Sequence, residues 1–233
     1  MTLEAMAPLV FGRVSLARVR RHADWLAARY LHPRERTLAA ALPVAKRRVD
    51  FIAGRVAAHR ALARLGVPSS ACVLPEVEGA AAGAPRVVGA PLLSSSPLLS
   101  SSPALSIAHG GGWAVAVAGR GVRVGVDIEA IEPRHPSFAA EAFAAGELAD
   151  WARALGRANV DALVVTVAWC VKEALLKLAQ CGLRAPLPTM IPTSIDLQSL
   201  RIRTQQLGEC RLVLDVDGAR VLAVVWSTLE EGA

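Results

Sequence analysis

Aromatic side chains are scarce: one Tyr, four Phe and five Trp make up 4% of 233 residues. So thin a set offers little to a protein that reads nucleic acid by stacking bases. Cysteine is scarcer still. Cys72, Cys170, Cys181 and Cys210 form no C-x-x-C pair and have no His at zinc-ligand spacing. They read as small buried hydrophobes in a reducing compartment. No run approaches the 18 or so consecutive apolar residues of a membrane span. The N-terminus lacks a basic head followed by an apolar stretch. The expectation is a cytoplasmic protein without membrane contact.

What is present is a basic chain with enough apolar residues for a real core. Lys and Arg number 26 against 20 Asp and Glu, a net charge of +6, and 53% of residues are hydrophobic. That balance suits a folded domain or two, with an anionic partner. Nucleic acid, phosphate-rich small molecules and acidic proteins all meet the charge criterion.

The informative stretch is Val122–Glu129, V-R-V-G-V-D-I-E. As a strand it puts Val122, Val124, Val126 and Ile128 on one face and Arg123, Gly125, Asp127 and Glu129 on the other. Two carboxylates on one face repel unless a cation joins them. The strand is either a solvent-facing edge with two ordinary acids or part of a cation site, and Gly125 leaves a gap for something to approach the backbone.

Two long helices are predicted. Arg47–Leu65 carries Phe51, Ile52, Val56, Leu62 and Leu65 at helical spacing, with Gly66 as its stop. Arg48 and Arg55, two turns apart, share a face: a solvated basic surface or a grip on phosphate. The second helix covers Asp161–Gln180. Val164, Val167, Ala168, Val171, Leu175 and Leu178 form one stripe, and Trp169, Glu173 and Lys177 run down the opposite side. Glu before Lys at i, i+4 is an ordinary surface pair worth a few tenths of a kcal/mol, but a Trp on that face predicts that the face is covered.

Shorter signals complete the chain. Ala104–His109 and Trp113–Ala118 read as a hairpin around Gly110–Gly112, whose backbone donors could hold an anion. Helices are expected at His32–Leu42, Pro136–Phe143 and from Gly146, and closing strands at Cys210–Val216 and Ala219–Ser227. Residues 67–105 read as loop, with PLLSSS at Pro91–Ser96 repeated at Pro97–Ser102. A long helix, a loop and closing strands occur twice, so the expected architecture is α+β, two similar pseudo-symmetric α/β halves, 1–120 and 121–233, with the active site in the cleft between them.

Three carboxylates, Asp127, Glu129 and Glu173, suit a hard divalent cation such as Mg²⁺, which completes its shell with water and phosphate oxygens. Lys177 and the basic first half would neutralise those phosphates. With G-V-D-I-E (Gly125–Glu129), F-x-x-x-E (Phe143–Glu147) and W-C-V-K-E-A-L-L-K (Trp169–Lys177), the chain resembles the 4'-phosphopantetheinyl transferases of the Sfp type. Lys46–Leu62, Gly83–Pro85 and Ser106–Trp113 follow in that family's order, so the resemblance spans roughly 32–190.

The resemblance implies transfer of phosphopantetheine from coenzyme A to a serine of an acyl, peptidyl or aryl carrier protein, releasing adenosine 3',5'-bisphosphate. It implies Asp127, Glu129 and Glu173 as Mg²⁺ ligands, Glu173 also as base, and Lys177 on the phosphate under attack. His109 would take the 3'-phosphate, with Arg48, Arg55, Pro85 and Arg86 along the cofactor. Ala108 stands where the family commonly has Ser, and Ala84 where it often has a basic residue, with Arg86 the nearest alternative. The length of two halves points, by family analogy, to a monomer serving secondary metabolism of the polyketide or nonribosomal-peptide kind. A non-catalytic module that grips coenzyme A or a carrier is the alternative, and a nucleic-acid-binding domain rests on charge alone.

Overall fold

The computed structural model describes residues 9–77, 81–89, 102–181 and 190–229. The PLLSSS repeat lies outside them except for its last residue, Ser102. Two layers of sheet and helix are built twice along the chain. In the first half, β1 (Val10–Ser15) leads into α1 (Leu16–Tyr30), α2 (Pro33–Ala40) and the long α3 (Ala45–Arg64). A short ribbon, β2 (Cys72–Pro75) with β3 (Pro85–Val88), precedes the hairpin β4 (Ala104–Gly110) and β5 (Trp113–Gly119). The antiparallel sheet runs β1-β5-β4.

The second half repeats the plan. β6 (Val122–Ala130) is followed by α4 (Pro136–Ala142), α5 (Glu147–Ala154) and the long α6 (Ala162–Leu178). Then come β7 (Pro192–Asp196), β8 (Arg201–Thr204), β9 (Gly208–Val216) and β10 (Arg220–Thr228), in the sheet order β6-β10-β9-β8-β7. In both halves the opening strand pairs with the closing one, β1 with β5 and β6 with β10.

Two glycines fix the common register. A Cβ built on Gly12 of β1 would lie 2.1 Å from the Ala57 carbonyl oxygen and 2.8 Å from the Ala61 nitrogen. One built on Gly125 of β6 would lie 1.9 Å from the Ala174 oxygen and 2.8 Å from the Leu178 nitrogen. Each long helix therefore rests directly on strand backbone, which only a residue without Cβ permits. This corrects one expectation: the space beside Gly125 is filled by α6 and is not left for a ligand.

The same register repeats a buried ion pair. Arg55 and Lys172 each stand two residues before the alanine that meets the strand. Lys172 Nζ lies 2.8 Å from Glu147 of α5, and Arg55 Nε lies 3.8 Å from Glu35 of α2. Each acid also accepts from a backbone N–H three residues upstream, Glu35 from His32 and Glu147 from Ala144, satisfying a helix-terminal donor. His59 Nε2 is 2.7 Å from Glu35, which is fully buried.

Each half buries its own core around its long helix, α3 packing Ile52, Val56 and Leu62, and α6 packing Val164, Val167 and Leu175. A third cluster joins the halves: Val122, Val124, Val126 and Ile128 of β6 against Ala108, Val115 and Val117 of β4–β5. Among the described residues no helix is long and apolar enough to cross a membrane. All four cysteines are free, and burial pushes the Cys210 thiol up to about 11.

Local starts and stops follow side-chain chemistry. Asp161 caps α6 by accepting from the Val164 N–H at 2.9 Å, an arrangement worth about 1 kcal/mol. Past that helix it is Gln180, at φ 56°, that adopts the left-handed conformation. β2–β3 falls where the sequence reads as loop, and β7–β8 in a stretch to which the sequence assigns no element.

Candidate active site

β6 is covered on both faces. Its valines pack on the first half, and the opposite face, with Gly125, Asp127 and Glu129, lies under α6. Because Gly125 lets α6 settle on the strand, Trp169, Glu173 and Lys177 meet the two β6 carboxylates. Lys177 Nζ donates to Asp127 Oδ1 at 2.7 Å and to the Val126 carbonyl at 3.1 Å, and stands 4.0 Å from Glu173. Trp169 Nε1 donates to Glu129 Oε1 at 3.2 Å.

Two participants escaped the sequence reading. Arg134 donates to Glu129 Oε2 at 2.7 Å. Phe138 of α4 packs edge-on against the Trp169 ring at 5.0 Å, and the Arg134 guanidinium lies over Phe138 at 5.4 Å. These contacts hold Glu129 and Trp169 in place. The signal for Arg134 was its place five residues past Glu129, within a Pro-flanked turn that keeps the chain close.

The electrostatics follow from the crowding. Burial raises the pKa of Glu173, and the charges of Asp127 and Glu129 raise it further against the opposing pull of Lys177. Burial alone would lower Lys177, but Asp127 and then Glu173 reverse the effect and hold its proton above the usual lysine value. Asp127 is 4% exposed, and its Oδ2 accepts from no partner. Among the described residues no three His, Cys, Asp or Glu side chains are drawn together tightly enough to enclose an ion. Lys177 and Arg134 instead neutralise Asp127 and Glu129. An orphaned buried carboxylate oxygen beside a second and third acid is the donor set a hard cation takes.

His109 reaches this region through two close approaches. A Cβ on Gly110 would lie 1.8 Å from the Ile128 carbonyl oxygen, so the end of β4 is pressed onto β6 between Asp127 and Glu129. A Cβ on Gly54 would lie 2.8 Å from His109 Nε2, so the ring rests on α3. Gly110 and Gly111 are thus pressed against their neighbours, Gly111 against Arg220. Burial lowers the His109 pKa, and the Asp50 backbone and carboxylate oppose it only in part. His109 as a whole residue is nonetheless exposed.

The first-half candidates separate. Arg48 sits in the first turn of α3, exposed, and pairs with Asp24 at 2.9 Å. Arg55 is buried, donates to the Val73 carbonyl at 2.9 Å and lies over the Phe51 ring at 4.4 Å. Helical spacing gave them one face, but depth divides them: Arg55 anchors β2 to α3. Pro85 pairs with Pro75 in the ribbon, and Arg86 lies 3.2 Å from Glu76. A cleft of about 490 Å³ is lined by Pro85, Arg86, Ser106, Arg123 and Lys177, so the ribbon and the α6 lysine border one space.

No curated protein matches the chain. Among solved structures it is similar to a holo-(acyl-carrier-protein) synthase from Bacillus anthracis str. Ames in complex with CoA (3',5'-ADP). The two are 24% identical over 48% of this chain and 93% of that one, with a TM-score of 0.37. The model of the 4'-phosphopantetheinyl transferase superfamily, ACPS, matches residues 123–228, a span that contains Asp127, Glu129, Glu173 and Lys177.

Proposed function

We propose that this chain transfers the 4'-phosphopantetheine group of coenzyme A to a serine hydroxyl of an acyl, peptidyl or aryl carrier protein, with Mg²⁺. The observation that carries the reading is the meeting of Asp127 and Glu173 at Lys177, with Glu129 two residues along the same strand, inside the span that matches the transferase superfamily.

The serine oxygen attacks the phosphorus that bears pantetheine. The bond to the bridging oxygen of adenosine 3',5'-bisphosphate breaks, and the serine proton is taken up. Glu173 is the base in this reading, and its raised pKa makes its carboxylate a better proton acceptor than an ordinary one. Lys177, anchored by Asp127, places a fixed positive charge where negative charge gathers on the phosphoryl oxygens. Asp127, Glu129 and Glu173 would hold the cation, which when bound neutralises the pyrophosphate. His109 faces the 3'-phosphate, and Pro85 and Arg86 border the cofactor's path along the cleft they share with Lys177. Arg48 and Arg55 contribute to the basic field behind the ribbon.

Incubation with coenzyme A, Mg²⁺ and a panel of apo carrier proteins, read by intact mass, tests this. A phosphopantetheine mass gain is expected on at least one carrier and is abolished by Glu173→Gln. Coenzyme A binding with no gain on any carrier would identify a binding module instead. The carrier that reacts fastest names the pathway class, whether fatty-acid, polyketide or nonribosomal-peptide.

A further inference from the structure

From the register of Gly12 and Gly125, the β6 and α6 positions of the candidate site have counterparts in the first half. Asp127, Glu129 and Glu173 correspond to Val14, Leu16 and Val56. Lys177, three residues past Ala174, corresponds to Arg60, three past Ala57. On the facing sheet the register is equally plain. Ile107 of β4 pairs with Ala116, which pairs with Gly12, and Leu212 of β9 pairs with Val225, which pairs with Gly125. β9 therefore holds toward β1 the register that β4 holds toward β6, but β4 packs directly on β6 whereas β9 and β1 wall an open cleft.

This counterpart cleft is the larger one. It has a volume of about 1250 Å³, walled by β1, the C-terminal half of α3, and β9–β10. Its three acid positions are apolar, so it has lost the means to hold a cation. Its charge is of the opposite sign: Arg13, Arg18, Arg29, Arg60, Arg64 and Arg220 line it against two acids, Asp215 and Asp217. Arg220 pairs with Asp217. Arg60 donates to the Arg13 carbonyl at 2.7 Å and Arg64 to the Phe11 carbonyl, which fixes both guanidiniums along the β1 wall. Arg13 lies over the Trp113 ring at 5.3 Å. Arg13, Arg18 and Arg29 are exposed and form no ion pair with any described residue. Like charges gathered in a concave site focus potential and favour a multivalent counter-ion. Guanidiniums match phosphate oxygens in geometry as well as charge. Val115, Val213 and Leu222 in the same wall suit an organic moiety.

We propose that this cleft is a second, metal-independent binding site for a small organic polyphosphate. The proposal stands apart from the transferase reading, because it concerns other residues and needs neither a carrier nor a metal.

The test is a calorimetric titration of the full chain with ATP in EDTA at low salt. Saturable binding is expected, weakening as salt rises. Arg18→Ala together with Arg29→Ala, both exposed, should weaken it at least tenfold without lowering the melting temperature, and Arg13→Ala should do the same alone. His109→Ala and Lys177→Met should leave it within about twofold. Tripolyphosphate should bind more weakly than ATP. No saturable ATP binding would overturn the proposal. So would binding lost in the His109 and Lys177 variants but kept in the arginine variants, which places the anion in the other cleft. Equal affinity for tripolyphosphate would overturn the assignment of an organic anion.

Discussion

Gly125 of β6 meets Ala174 of α6 so closely that a Cβ on the glycine would fall 1.9 Å from the alanine's carbonyl oxygen. The contact is backbone to backbone, so no rotamer can relieve it. Gly125→Ala should destabilise the fold by about 3 kcal/mol or prevent folding, at the severe end of core overpacking. Gly12→Ala should do the same through Ala57, whereas Gly218→Ala, with nothing within 4 Å, should show only the milder backbone cost of its φ of 82°. Thermal melts of the three variants check the ranking, and an unperturbed Gly125→Ala would contradict the packing.

Lys177 serves the proposed chemistry and the fold at once. Lys177→Met strands the buried Asp127 carboxylate, and breaking such a pair costs about 3 kcal/mol. Turnover should fall about a hundredfold to a thousandfold, as for loss of a preorganised charge in an active site. Adding Asp127→Asn should recover stability but not turnover. Recovery of both would remove Lys177 from the reaction.

If Asp127, Glu129 and Glu173 take Mg²⁺, the ion must stabilise the native state. At a hundredfold excess over its Kd the gain is about 2.7 kcal/mol. Melting temperature should rise on adding Mg²⁺ with coenzyme A and return with EDTA. Glu173→Gln should show no such rise, and an equal rise in that variant would exclude Glu173 as a ligand.

His109 predicts a pH effect of definite sign. Its folded pKa lies below the ordinary 6.5, so above that value folded and unfolded forms are both neutral and its contribution is fully present. As pH falls below 6.5 the unfolded chain takes up a proton that the folded chain resists, and stability is lost until pH reaches the folded value. Denaturant midpoints should fall more steeply over that window in wild type than in His109→Asn. Parallel slopes would mean that burial does not restrain the ring.

The buried Lys172–Glu147 pair ties α6 to α5 with both side chains almost wholly buried. Lys172→Met alone should cost about 3–5 kcal/mol by leaving an acid uncompensated, and Glu147→Leu alone should cost similarly. The double variant should cost clearly less than the two singles together. Additive costs would show that the two groups do not act as a pair.

What was legible in the sequence were the features with strong periodicity. The alternation of Val122–Glu129 gave both faces of β6, and the stripe on α6 put Trp169, Glu173 and Lys177 on a side that proved covered. β2–β3 and β7 were missed because strands of four or five residues carrying Pro75, Pro85 or Pro192 lack the alternation that identifies a strand, and β8 because its alternation lasts only four residues. Gly125 was recognised as a gap, but period alone does not say whether a ligand or a helix fills it. Arg48 and Arg55 share a face by helical angle, and only tertiary packing decides that one stays at the surface while the other is drawn beneath β2. Arg134 reaches Glu129 through a turn whose path has no periodic signature.

β1 and β6 each lie at the end of their sheet, with one side of the backbone unpaired by any strand among the described residues. For β6 that side meets the first half: the Val126 N–H donates to the Ser106 hydroxyl at 3.0 Å, and Gly110 abuts the Ile128 carbonyl. A lone second half would therefore bare a nine-residue edge beside a row of valines, the pattern that recruits foreign strands. By joining its two halves the chain keeps this strand edge closed to other molecules while leaving the carboxylates on that strand in place.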